Sequence, residues 1–261
     1  MNKQHNCKII NKESLLSDII TFSIDASEIA KQATPGQFLE IKCSEGIDPL
    51  LRRPISISNV DKKSGMLQFI IQIRGKATEL LSKKSVGDSL DILGPLGHGF
   101  SLAESGKRTA VIGGGIGVFP LLYLTKELKD KCEVNVYLGF RNKNFVVLEE
   151  EFKKFSNNVC ITTDDGTYGQ KGYAANFLEQ DIKLGKIDKI YACGPYPMLK
   201  ALSNIAITHN IDCEISVEER MCCGIGACLG CACKVKDGDD WRYGHVCKDG
   251  PVFDAKKVIL E

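Results

Sequence analysis

The chain lacks the features that mark several common functions. Its charge is balanced, 34 basic against 33 acidic side chains for a formal +1. No basic field therefore points to nucleic acid or to an anionic membrane surface. Glycine-rich stretches aside, its longest apolar run is VFPLLYL at 118–124, far short of the roughly 20 residues that span a bilayer. The opening MNKQHNCKII has no apolar core of a secretion signal, so the expectation is a cytoplasmic protein with reduced thiols. Low-complexity segments and repeats of solenoid period are also absent. Only four histidines occur, His5, His98, His209 and His245, and their placement suggests no catalytic set.

Cysteine is what the chain has in quantity: twelve, five of them in RMCCGIGACLGCACKV at 220–235. A chain of 261 residues can bury a core without disulfide staples. Clustered thiols in a reducing compartment bind metal or do redox chemistry. Cys223, Cys228, Cys231 and, further on, Cys247 follow the spacing C-x4-C-x2-C…C, that of plant-type [2Fe–2S] proteins. The interleaved glycines suit a loop wrapped closely over inorganic sulfide. A zinc site, for which two C-x2-C pairs are more usual, and redox-active thiols are the competing readings. Cys222 and Cys233 fall outside the frame and read as small packing residues.

The chain changes grammar twice. Residues 1–103 hold short β-rich runs, DIITFSI, QFLEIKC, PISISNV, MLQFIIQI and SLDILGP, separated by turn signals, with one clear helix at 77–84. That pattern predicts a small antiparallel barrel. Residues 104–215 alternate strand and helix, from TAVIGG through EVNVYLGF and KIYACGP to CEISVEE, which predicts a doubly wound parallel sheet with its ligand site at the carboxyl edge. Residues 216–261 form a third, cysteine-bearing module too short for a large core of its own.

Two motifs stand in these segments. GGGIGVFP at 113–120 joins a strand to a helix, where glycines let a pyrophosphate approach the helix N-terminus. A tight turn alone would also explain it, since Val118 and Pro120 occupy the third-glycine positions of a dinucleotide fingerprint. GFRNK, DDGTYG and CGPYPM each follow a strand of the same sheet. RRPISI at 52–57 offers an arginine for a phosphate and a serine hydroxyl for a flavin heteroatom, or else is a plain edge strand.

RPIS, GKATELL, GPLGHGF, GGGIGVFPL and CGP, in that order, resemble the ferredoxin–NADP reductase superfamily. ERMCCGIGACLGCACKV…GHVCKDGPVF closely resembles the electron-transfer subunits of class 1B dihydroorotate dehydrogenases. The resemblance covers essentially the whole chain and implies an FAD barrel, an NAD domain and a [2Fe–2S] module. It implies that Arg53, Pro54, Ile55 and Ser56 contact FAD, with Ile71, Gln72 and Ile73 against its ring or ribose. Ala77 and Thr78 would cap the pyrophosphate; the family more usually has glycine where Ala77 stands. Gly113, Gly114, Gly115 and Gly117 would underlie the NAD phosphates, and Cys193, Gly194 and Pro195 would lie by the nicotinamide. Cys223, Cys228, Cys231 and Cys247 would ligate the cluster. The implied partner is an FMN-containing catalytic subunit, two of each chain, with neither nucleic acid nor membrane involved. Competing functions are a reductase acting alone or in another complex, of hydrogenase or sulfite-reductase type, and a zinc-stabilised binding module without redox activity.

Overall fold

Six strands close into an antiparallel barrel in the computed structural model, which describes residues 4–260. They are β1 Gln4–Leu16, β2 Ile19–Asp25, β3 Phe38–Ile41, β4 Arg53–Asp61, β5 Met66–Gln72 and β6 Ser89–Leu96, ordered β1-β2-β5-β4-β3-β6 around the barrel. Period-two alternation builds its core: along β6, Leu90, Ile92 and Leu96 are buried while Asp91, Leu93 and Pro95 are half-buried. Phe22 and Phe69 are register partners on β2 and β5, and their rings stack with centroids 5.2 Å apart. Helices α1 Ser27–Gln32 and α2 Lys76–Ser82 belong to the same region. The five expected strands are present. β1 escapes a sequence reading because only Cys7 and Ile9 of its thirteen residues are fully buried. α1 is a helix of six residues, too short to show a periodic face.

The second region follows the expected alternation. β7 Arg108–Gly114, α3 Phe119–Leu128, β8 Glu133–Phe140, α4 Glu149–Phe155, β9 Asn158–Thr163, β10 Gln170–Lys171, α5 Ala174–Lys183, β11 Lys189–Cys193, α6 Tyr196–Thr208 and β12 Asp212–Ser216 follow one another. Ala174, Leu178 and Ile182 line one face of α5, and Leu199, Leu202 and Ala206 one face of α6, as a half-buried helix requires. From Thr109 to Gly114, β7 is buried at every position, the mark of a parallel strand covered on both faces. A hairpin, β13 Ala232–Asp237 with β14 Asp240–His245, precedes the last strand, β15 Val252–Asp254. The sheet order is β10-β9-β8-β7-β11-β12-β15, parallel except for β15 on β12.

The chain divides into two compact units. One holds the residues up to Gly99 with Glu218–Ala232 and His245–Pro251; the other holds Phe100–Val217, Cys233–Gly244 and the residues from Val252 on. The segment expected as a third module, 216–261, is thus shared between the two. Its last strand, β15, completes the seven-stranded sheet, while β13 and β14 form a two-stranded sheet of their own. Residues 1–3 and 261, at the ends of the expected ranges, lie outside the described residues. Among the described residues no helix is long and apolar enough to cross a membrane.

One ion pair ties the start of β7 to the residue before β11. Asp188 accepts from the Arg108 backbone N–H at 2.8 Å, from Nε at 3.0 Å and from Nη2 at 2.6 Å. These bonds hold the Asp188 carboxyl well below the usual carboxylate range, at about 2. Asp188→Ala is expected to destabilise the chain by about 1 kcal/mol at neutral pH, the scale of a charge-assisted bond at a partly exposed site. The folded pKa is depressed, so the stabilisation is present above the unfolded value of about 4 and is lost as pH falls through about 2. Denaturant unfolding of both proteins between pH 7 and 2 checks this: the difference must shrink with acid.

Candidate functional site

The loop 222–231 bends through left-handed backbone at Gly224 (φ +68°), Gly226 (φ +81°) and Leu229 (φ +61°). This conformation is open to glycine without strain, and it turns backbone N–H groups toward sulfur. Gly226 donates to Cys247 Sγ at 3.1 Å, Cys228 to Cys223 Sγ at 3.4 Å, Cys247 to Cys231 Sγ at 3.4 Å and Gly230 to Cys228 Sγ at 3.5 Å. Each of the four cysteines picked out by spacing therefore accepts a backbone hydrogen bond. The thiols also interact as pairs, Cys223 with Cys228 and Cys231 with Cys247. Among the described residues no three ligating side chains gather as a single-ion site. Two pairs of thiols suit a dinuclear cluster, in which each iron takes two thiolates.

Electrostatics separates Cys223 from its neighbour. Burial opposes ionisation of Cys223, but N–H donation from Ile225, Cys228 and Ala227 prevails and pulls its thiol below the ordinary range. Cys222 is pushed up, by desolvation first and then by the surrounding thiols. Burial also raises Cys247, with the Cys231 thiol adding to the effect. The N–H donors favour an anionic sulfur at 223. The donor set fits a [2Fe–2S] cluster held by Cys223, Cys228, Cys231 and Cys247.

One residue near this loop escapes a reading by motif. Glu40, on β3, is fully buried, and neither carboxyl oxygen has a hydrogen-bond partner among the described residues. Burial above all raises its pKa, to about 7; Arg52 and Arg53 oppose the shift and Cys223 adds to it. Its only signal in the sequence is an acid among apolar neighbours in QFLEIKC.

On β4, Arg53, Pro54, Ile55 and Ser56 are all half-buried, while Ile57 and Ser58 are both buried. The pairing of β4 with β5 has a register shift between Ile57 and Asn59. The two arginines differ. Arg52 Nη2 donates to both carboxylate oxygens of Asp91, each at 2.9 Å, and its Nη1 donates to the Asp91 carbonyl at 2.9 Å. Arg53 pairs with no carboxylate among the described residues; its Nη1 donates to the carbonyls of Leu51 and Arg52 at 2.9 and 3.0 Å. Arg53 is thus the arginine with charge to offer a phosphate. Ile71 is buried in the barrel, whereas Gln72 and Ile73 are half-buried, and Gln72 donates to Asp18 at 2.8 Å. The Thr78 hydroxyl accepts from the N–H groups of Arg74 and Gly75 and donates to the Gly75 carbonyl. Ala77 and Thr78 precede the first intrahelical bond, from Glu79 N–H to the Gly75 carbonyl at 2.9 Å, so their N–H groups lie in the orphan first turn.

At the carboxyl edge of the parallel sheet, the structure brings two expected loops together. A Cβ on Gly117 would stand 2.5 Å from the Cys193 carbonyl oxygen, and one on Gly114 would stand 2.8 Å from Pro195 Cδ. Gly113 is as tightly packed, against Val118 and Leu121. Three of the four glycines are thus needed for internal packing. Gly115, exposed, at φ +55° and with open space where a Cβ would be, is the one left facing outward. The neighbouring loops are joined by the Lys143 N–H to Thr167 Oγ1 bond at 3.0 Å. Arg141 lies over the Phe145 ring, 5.8 Å from its centroid.

Three family models match the chain in succession. They are an oxidoreductase FAD-binding domain over residues 6–100, an oxidoreductase NAD-binding domain over 111–204, and the iron–sulfur cluster binding domain of dihydroorotate dehydrogenase B over 218–259. The dihydroorotate dehydrogenase B (NAD(+)) electron transfer subunit of Desulforamulus reducens is 39% identical over 262 aligned positions, covering 100% of both chains. That of Geobacillus thermodenitrificans is 43% identical over 256, covering 97% of each. Among solved structures, a chain of an NADH-dependent reduced ferredoxin-NADP oxidoreductase superposes with a TM-score of 0.85 at 29% identity, covering 97% of this chain and 90% of that one. A ferredoxin NADP+ reductase from Neisseria gonorrhoeae with bound FAD and NADP shares the fold, with a TM-score of 0.67 at 19% identity over 80% of this chain and 92% of that one.

Serine at any one of positions 223, 228, 231 or 247 removes a thiolate, and each such variant is expected to lose the cluster. Cys222→Ser and Cys233→Ser are expected to retain it. Iron and sulfide content with the visible spectrum of each anaerobically purified variant is the check. Full iron in Cys247→Ser would exclude the fourth ligand.

Proposed function

The chain belongs to the family of dihydroorotate dehydrogenase B (NAD(+)) electron transfer subunits, and on that premise we propose that it serves an FMN-containing catalytic subunit which oxidises dihydroorotate to orotate. It is an oxidoreductase component with FAD-, NAD- and iron–sulfur-binding segments. Its place is pyrimidine biosynthesis in the cytoplasm, in an assembly of two copies of each chain. The functional segments are 1–103 for FAD, 104–215 for NAD and 216–261 for the cluster. Bound FAD supplies the exchange between one-electron transfer at the cluster and hydride transfer at nicotinamide.

The chain's own residues hold these groups in place. Cys223, Cys228, Cys231 and Cys247 bind the cluster, with backbone N–H groups compensating the thiolate charge. Arg53, unpaired by any carboxylate among the described residues, binds an FAD phosphate. Pro54, Ile55 and Ser56 face the flavin, with Ile71, Gln72 and Ile73 on the neighbouring strand β5, where Ile71 contributes through its backbone. The first-turn N–H groups of Ala77 and Thr78 meet the pyrophosphate. Gly115 admits the NAD phosphates at a turn built by Gly113, Gly114 and Gly117, and Cys193, Gly194 and Pro195 lie beside the nicotinamide.

The observation that carries this reading is the set of four sulfurs, each accepting a backbone N–H, in a chain that also carries flavin and dinucleotide domains. A zinc-stabilised binding module would leave both domains without a purpose. Exposed Ile225 and Leu229 on the cysteine loop support docking of the catalytic subunit there. None of the residues assigned above is a base placed to take a proton from dihydroorotate.

Two outcomes are expected. The isolated chain reduces an artificial acceptor with NADH but forms no orotate, and adding the catalytic subunit restores NAD-linked dihydroorotate oxidation. Orotate formation by the chain alone would overturn the assignment. Separately, Arg53→Ala is expected to lose FAD on gel filtration while circular dichroism stays unchanged, because no core contact is removed. Stoichiometric flavin in that variant would exclude Arg53 as the phosphate ligand.

A further inference from the structure

The carboxyl of Glu40 takes part in nothing described so far. Glu40 lies at the level of Pro54 on β4 and Leu93 on β6. Its flanking residues on β3, Leu39 and Ile41, are fully buried and apolar. A carboxyl sealed away from water without a partner is destabilising. Arg52 does not relieve it, because its fork is committed to Asp91. The Nη1 of Arg53 is turned to the carbonyls of Leu51 and Arg52. The cysteine loop is what meets this side chain. A Cβ on Gly224 would stand 2.5 Å from Glu40 Cγ and 2.7 Å from Oε1. Gly224 also has φ +68°, so any other residue would be both strained and blocked. The loop backbone thus lies directly on the carboxyl, next to Cys223.

We propose that Glu40 is a positioning residue of the iron–sulfur centre: its carboxyl seats the loop at Gly224, orients Cys223 for ligation and sets the cluster's reduction potential from the barrel side. The proposal rests on the ligand assignment made above. Its position supports it, because one side chain lies between the β4 segment assigned to FAD and the loop assigned to the cluster, all within the barrel unit. Chemistry supports it as well. Charge and hydrogen bonding around the sulfurs tune such clusters, and a carboxylate beside Cys223 opposes addition of an electron. A residue that only filled space here would be apolar like Leu39 and Ile41. An acid kept at a loss of stability is the signature of a functional position.

The test uses the complete complex, chain plus catalytic subunit, with Glu40→Met and Glu40→Gln. The readouts are iron and sulfide content, iron release to a chelator, the EPR spectrum of the reduced cluster, its midpoint potential by redox titration, and thermal stability. Methionine removes the orphaned polar group, so the melting temperature should hold or rise. Iron release should nevertheless quicken severalfold, the EPR spectrum should change and the potential should move positive. Glutamine keeps the volume and the polar reach, so iron retention should return to normal while the potential stays positive of wild type. Wild-type potential, spectrum and iron release in Glu40→Met would overturn the proposal, whatever the melting temperature does. If Glu40→Met does not assemble, Glu40→Gln decides alone: a positive shift supports the proposal, and an unchanged potential with an unchanged spectrum overturns it. Failure of the underlying assignment has its own signature, a wild-type complex without iron and sulfide.

Discussion

Four cysteine sulfurs, each accepting a backbone N–H, impose the strictest constraint on this structure. A buried thiolate needs compensation, and the protein supplies it from the backbone. Gly226, Cys228, Gly230 and Cys247 each donate an N–H to a cysteine sulfur. To aim those groups, the loop must pass through left-handed backbone at Gly224 and Gly226, which explains the glycines better than flexibility does. It must also recruit Cys247 from beyond the β13–β14 hairpin, so both ends of the hairpin are held together. The Val246 N–H to Cys231 carbonyl bond at 3.0 Å accomplishes this.

The two larger bodies solve a different problem, that of presenting backbone and charge to cofactors much larger than a cluster. The barrel does so by leaving β4 half-buried from Arg53 to Ser56 and by freeing one arginine of two. Asp91 takes the fork of Arg52, and Arg53 has no carboxylate partner among the described residues. In the parallel sheet, close packing at Gly113, Gly114 and Gly117 brings the β7 turn against the β11 loop. A single outward glycine, Gly115, then stands at the edge. Motif glycines of this kind serve packing first and ligand approach second.

The chain carries its chemistry in short local patterns. The cysteine spacing could be read because cluster ligation depends on residue type and interval, both written along the chain. The sheet was legible because buried parallel strands and amphipathic helices have distinct periods, and five of six barrel strands show enough β-rich character to be marked. β1 was not, since eleven of its thirteen residues stay partly or fully accessible. α4 was not, since only Phe152 of its seven residues is buried.

What the sequence determined by itself is the identity and order of the chemical equipment: flavin strand, glycine turn, cysteine frame. Tertiary structure gave like residues different surroundings. It separated Arg52 from Arg53 through Asp91, Cys223 from Cys222 through N–H donation, and Gly115 from its packed neighbours. It also divided the C-terminal segment between two units. Above all it placed Glu40 beneath Gly224. These distinctions depend on contacts between residues far apart in the chain. Local propensity and spacing carry no information about which distant groups will share a buried volume, where a single hydrogen bond or missing Cβ decides the outcome.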